Sequence, residues 1–104
     1  MLKDELLEII ANGENSGVEF KRDDIRPEQL AKEIVALANV QGGRILLGVE
    51  DDGQITGLQR PETQEWILNV FRDKVHPQII PFYEEILIEE NLRVGVITLS
   101  MGVS

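Results

Sequence analysis

Cysteine is absent and histidine occurs once in the 104 residues, which excludes disulfide staples, thiol nucleophiles and the Cys/His zinc sites together. Any metal would have to be a hard ion held by carboxylates. Aromatic residues are scarce as well. One Trp, one Tyr and three Phe are too few for the stacking platforms that hold single-stranded nucleic acid. No apolar run approaches the roughly 18–20 residues that span a bilayer, and the opening Met1-Leu2-Lys3-Asp4-Glu5 is too acidic for a signal peptide. A cytoplasmic protein with no membrane partner is expected. Positive charge is short too: ten Lys and Arg stand against nineteen Asp and Glu, a net charge of −9. Because nonspecific affinity for DNA comes from neutralising phosphates, a generic basic clamp is excluded, and any nucleic-acid surface must be local.

What is present suits one domain spanning residues 1–104, with 42 % hydrophobic residues and a mean hydropathy of −0.10. Leu2, Leu6, Ile9 and Ile10 recur at helical spacing, and Asn12-Gly13 supplies a left-handed stop. Val18 and Phe20 alternate with Glu19 and Lys21, the mark of a short strand with one apolar face. Pro27 suits the first turn of a second helix, whose stripe is Leu30, Ile34, Leu37 and Ala38, widened by Ala31 and Val35. Gln41-Gly42-Gly43 ends it and releases the chain into Arg44 to Val49. There Ile45, Leu46 and Leu47 are consecutive apolar residues, as in a central strand covered on both faces.

Asp51-Asp52-Gly53 is a hairpin turn signal, with a returning strand expected through Ile55 and Thr56 to Gly57. Pro61 opens a third helix carrying Trp66, Ile67, Val70, Phe71 and Val75, with Trp66 and Phe71 expected in the core and Pro77 closing it. His76, beside that helix end, is read as structural. Phe82, Ile86 and Ile88 alternate up to Glu90-Asn91, and Leu92 to Leu99 forms the other arm of a hairpin. The pattern predicts an α+β fold, a mixed β-sheet packed with helices in the order α-β-α-β-β-α-β-β. The last strand runs almost into Ser104 without a polar cap. It reads as a C-terminal truncation of a larger protein, leaving Ile97, Leu99, Met101 and Val103 on an open sheet edge that would support a homodimer.

Two sets of residues carry candidate chemistry. Lys21, Arg22, Arg26, Lys32 and Arg44 gather half of the basic residues into one stretch, although Asp23, Asp24, Glu28 and Glu33 lie among them. Glu14 and Glu19 are separated by a Gly-containing turn that could fold Glu14 back beside Glu19, with Glu50 and Asp51 at the far end of the central strand. Three hard carboxylates at one point would suit Mg²⁺ or Mn²⁺ holding a phosphodiester and activating water. The Gly42-Gly43 pair opens a strand rather than a helix, so it lacks the helix N-terminus a phosphate loop uses.

The stretch Glu14-Asn15-Ser16-Gly17-Val18-Glu19-Phe20-Lys21, then Ala36-Leu37-Ala38-Asn39-Val40-Gln41-Gly42-Gly43, then Leu46-Leu47-Gly48-Val49-Glu50-Asp51-Asp52-Gly53-Gln54-Ile55-Thr56-Gly57 resembles the Schlafen AlbA-like family. That family is also catalogued as a divergent ATPase-like domain of transcriptional regulators. The resemblance covers roughly residues 12 to 100. It implies a DNA- or RNA-binding module of a transcriptional regulator, with Lys21, Arg22, Arg26 and Arg44 as the candidate phosphate contacts. It also implies an RNase-like alternative, in which Glu14 and Glu19 match two glutamates of an acidic catalytic trio and the third falls on Glu50 or Asp51, with Glu14, Glu19 and Asp51 as the metal ligands for Mg²⁺ or Mn²⁺. The family's older name implies ATP or another nucleotide as a third possibility.

Overall fold

The chain alternates helix and strand for most of its length and closes on a hairpin. The computed structural model describes residues 1–76, 79–80 and 82–100. In order, the elements are α1 (Lys3–Asn12), β1 (Val18–Lys21), α2 (Pro27–Val40), β2 (Gly43–Leu47), α3 (Thr63–Lys74), β3 (Phe82–Glu89) and β4 (Leu92–Leu99). One four-stranded sheet has the spatial order β1-β2-β4-β3. β1 and β2 are parallel, a pairing that requires a crossover, and α2 supplies it. The other two pairings are antiparallel.

The alternation of side chains across the sheet builds two cores. On one face Ile45, Leu47, Ile97 and Leu99 meet the stripe of α2 (Leu30, Ile34, Leu37) and that of α3 (Ile67, Val70, Phe71). On the other, Phe20, Leu46, Val94, Val96 and Ile86 are covered by Leu6 and Ile10 of α1. β2 is therefore buried on both sides, as its unbroken Ile-Leu-Leu predicts, with Ile45, Leu46 and Leu47 all fully buried. The mixed sheet packed with helices is the expected fold class, differing from the expected order in one element.

That element is the strand expected through Ile55. It reduces to a single bridge between Val49 and Ile55. Gly48 takes a φ of 95° directly after β2, and its carbonyl accepts the N–H groups of both Thr56 and Gly57 at 2.9 Å. The returning chain is thus tied to the end of β2 instead of running beside it. A Cβ on Gly48 would lie 2.8 Å from the Gly57 carbonyl carbon, so only glycine allows this approach.

Other expectations are corrected. β2 begins at Gly43 and ends at Leu47 rather than running from Arg44 to Val49. α3 begins at Thr63, after Glu62 in a left-handed conformation, so Pro61 precedes the helix instead of opening it; Pro77, expected to close it, lies outside the described residues. Phe82 is exposed, and Trp66 is only partly buried at the margin of the core. The largest correction concerns the last strand. β4 lies between β2 and β3, so Ile97 and Leu99 are buried and paired rather than lying on an open edge. The edge argument for a homodimer through these residues falls with it, because a return hairpin can insert its second arm inside the sheet. Met101 and Val103 lie outside the described residues.

Candidate functional site

The acidic residues at the start of β1 are arranged by a tight turn. Asn15 and Val18 exchange backbone hydrogen bonds at 3.1 and 3.3 Å, and the Asn15 side-chain oxygen accepts the Gly17 N–H at 2.7 Å. This turn brings Glu14 back along the outer edge of β1, where its Oε2 accepts the Phe20 N–H at 2.8 Å. Glu14 therefore caps one donor of an edge strand that would otherwise be unpaired. Glu19 lies beside it. Partial burial first, then the hydrogen bond with Glu14 and the negative charges of Glu33 and Glu14, push the Glu19 carboxyl above the usual glutamate range, against the opposing effect of Lys21.

The structure brings Glu14 and Glu19 together but joins Glu50 to a different partner. Glu50 Oε2 lies 3.5 Å from Arg22 Nε, and Asp51 is exposed on the following turn. The additional carboxylate near Glu19 is Glu33 of α2, itself 3.6 Å from Lys21 Nζ. Helical arithmetic points to it: Glu33 stands three residues after Leu30 and four before Leu37, on the flank of the buried stripe. A divalent ion needs several oxygens free to turn on it. Here Glu14 is committed to Phe20, Glu33 to Lys21 and Glu50 to Arg22. Among the described residues no three carboxylate or imidazole groups form a metal-holding cluster, so the trio drawn from the sequence does not fit a bound ion as arranged.

The glycine pair serves the backbone. Gly42 N donates to Leu37 O at 2.8 Å, closing α2, and Gly43 adopts a φ of 139°. A Cβ on Gly43 would meet the Gly17 carbonyl oxygen at 2.4 Å, and Arg44 N donates to that oxygen at 2.9 Å. Gln41 Nε2 also reaches Ser16 Oγ at 3.1 Å. The segment following Glu14 and the segment ending α2 are thus two halves of one backbone contact. The Gly43 side that a phosphate would approach is filled by Gly17.

At the opposite end of the parallel pair, Arg22, Asp23, Asp24, Thr56, Gly57, Gln59 and Arg60 surround an open cleft of about 510 Å³. Its organiser is Asp23, which is 5 % exposed. One carboxylate oxygen accepts the N–H groups of Gln59 (2.7 Å) and Arg60 (2.9 Å), and the other lies 3.4 Å from Arg60 Nε. Arg60 returns a hydrogen bond to the Asp23 carbonyl at 2.7 Å and lies over the Trp66 ring at 3.7 Å. Trp66, packed against the margin of the core, thus turns one ring face to Arg60. Sequence reasoning missed both residues, since Asp23 reads as an ordinary turn residue and its partner lies 37 positions away.

The four basic candidates do not form one patch. Arg22 is exposed at the cleft, its guanidinium also 3.3 Å from Asp24, and Arg26 is exposed at the start of α2. Lys21 faces α2 and Glu33. Arg44 pairs with Val18 at the other end of β1 and alternates with Ile45, so its side chain takes the α1 face. Its Nε is buried without a hydrogen-bond partner among the described residues. His76 is exposed just beyond α3. No helix among the described residues is long and apolar enough to cross a membrane.

Several solved structures resemble this one. The N-terminal domain of a RecG-related protein from Nitrosomonas europaea superposes with a TM-score of 0.74 at 20 % identity, over 99 % of this chain and 75 % of that one. The DIP2311 protein from Corynebacterium diphtheriae gives a TM-score of 0.65 at 20 % identity, and this chain spans 99 % of its own length but 22 % of that protein. At such identity the likeness is one of fold. No curated protein matches. The family model described as Schlafen, AlbA_2 matches residues 14–103, the span that contains the turn after Glu14, both glycine contacts and the whole sheet. The chain belongs to the Schlafen AlbA_2 family.

Proposed function

We propose that this domain is a nucleic-acid-associated module of a larger transcriptional regulator, making a few local phosphate contacts at the end of the parallel strand pair. The observation that carries this reading is the pair of exposed guanidiniums, Arg22 and Arg26, on the turn between β1 and α2, with Arg22 bordering the open cleft. Ligands of open sheets with parallel strands favour this carboxyl end. Membership of the family supports the reading, as does a structural relative whose name relates it to an ATP-dependent DNA helicase. Lys21 and Arg44 add charge from other directions. The test is fluorescence anisotropy with single- and double-stranded DNA and RNA for the wild type and the R22A/R26A double variant. Binding that weakens with salt and is lost in the double variant is expected; binding that the double variant retains in full would overturn it.

A second reading, metal-dependent RNA cleavage, draws support from the contact between Glu14 and Glu19, since the nearby negative charge that raises the Glu19 pKa is what a divalent cation would neutralise in place of the proton. Glu50 or Asp51 would have to swing toward that pair when substrate binds. Thermal melts with Mn²⁺ and with chelator would show a stabilisation of about 1.4 kcal/mol at ten times the Kd, lost in Glu19→Gln. The same shift between chelator and Mn²⁺ in the wild type and in Glu19→Gln would end this reading.

A further inference from the structure

The two edges of the sheet are finished differently. β1 is four residues long, and Glu14 covers its Phe20 N–H. β3 is eight residues long, and among the described residues β4 is its sole pairing partner, so its outer row of backbone donors and acceptors faces away from the sheet. Backbone polar groups at such an edge form a template for another strand. Large apolar side chains also lie exposed along it: Phe82 is 59 % and Leu87 58 % accessible, with Ile80 just ahead at 89 %. Phe82 shares the α1 face with the buried Ile86, and Leu87 takes the opposite one. An added strand would therefore find an apolar contact on each face.

Charge selects the occupant. The edge carries Glu84, Glu85, Glu89 and the adjoining Glu90. Glu84 is paired with the Met1 amine at 2.8 Å and Glu85 with Arg93, whereas Glu89 and Glu90 are exposed and take part in no ion pair among the described residues. A second copy would bring another body of charge −9 against this acidic rim. We propose that β3 is a docking edge for an extended, basic protein segment in which Lys or Arg alternates with apolar residues, added as a fifth strand. Main-chain hydrogen bonds would provide the attachment, Phe82 and Leu87 the apolar contacts, and Glu89 and Glu90 the preference for positive charge. This inference is independent of the nucleic-acid reading, whose residues lie on the β1 side of the sheet.

The test uses the full chain, isotopically labelled, and an eight-residue peptide alternating Lys and Val, matching β3 in length. Amide hydrogen exchange and chemical shifts should show saturable protection centred on β3. Glu89→Lys with Glu90→Lys, both at exposed positions, should weaken binding about tenfold, as should replacing the peptide's Lys with Glu. A Lys/Val peptide N-methylated at alternate residues should fail in one of the two methylation phases, because only one row of its N–H groups can face β3. Protection centred elsewhere, equal binding of both methylated forms, or sedimentation showing β3 buried in a homodimer would each overturn the proposal.

Discussion

Gly43 and Asp23 show how single residues join segments that are distant in sequence. At Gly43 the combination of a positive φ and a Cβ position 2.4 Å from the Gly17 oxygen means that Gly43→Ala should destabilise the fold by about 3 kcal/mol, whereas Gly13→Ala, at positive φ with open space around it, should cost about 1 kcal/mol. Urea denaturation of the two variants would check the ordering. Asp23→Ala removes the acceptor for two backbone N–H groups and leaves Arg60 without its buried counter-charge. A loss of about 2–4 kcal/mol is expected, together with faster amide exchange at Gln59 and Arg60. Glu19 has the opposite character. Its folded-state pKa lies above its unfolded value, so the folded protein retains a proton that the unfolded chain has released. That contribution is fully present below the unfolded glutamate pKa and is lost as pH rises through the raised folded one. Glu19→Gln should therefore melt higher than the wild type at pH 7 and converge with it below about pH 4. Melting curves across that range would test it, and parallel pH profiles would contradict it.

Among the elements, β2 is covered on both faces, and Ile45, Leu46 and Leu47 are fully buried. Leu46→Asp would put an unpaired carboxylate among Phe20, Val96 and Leu6, with loss of cooperative folding expected by circular dichroism. Leu87→Asp, on the exposed part of β3, should change stability by no more than about 0.5 kcal/mol. Periodicity made α1, α2, β1 and β2 legible, since each has a regular apolar pattern and a stop or start signal beside it. The Ile55 strand was misread because Asp51-Asp52-Gly53 does make a turn, with Gly53 N bonded to Glu50 O at 2.8 Å. A turn signal reports reversal of the chain; it does not report whether the returning segment stays in the plane of the sheet. Gly48 decided that.

For the whole molecule, the charge of −9 limits any polymer binding to a few phosphates. With Arg22 and Arg26 as the contacts and the other two basic residues turned elsewhere, the dependence of log K on log salt should have a slope no steeper than about −2 to −3; a slope as steep as about −6 in a titration would require a larger basic surface than this fold displays. Composition, apolar period and turn chemistry determined the class of fold, the helices and the doubly covered strand, because each is set by residues close in the chain; the family showed in the resemblance of three motif stretches. Contacts across long separations needed the tertiary structure. The sequence could place Glu14 near Glu19 through a short turn, but whether Glu50 joined them depended on Arg22 holding it at the other end of β1. Likewise, a hydrophobic strand at the end of the chain carries no mark of its neighbours. The strand order, set by how β2 and β3 share β4, put Leu99 inside the sheet and left β3 at its edge.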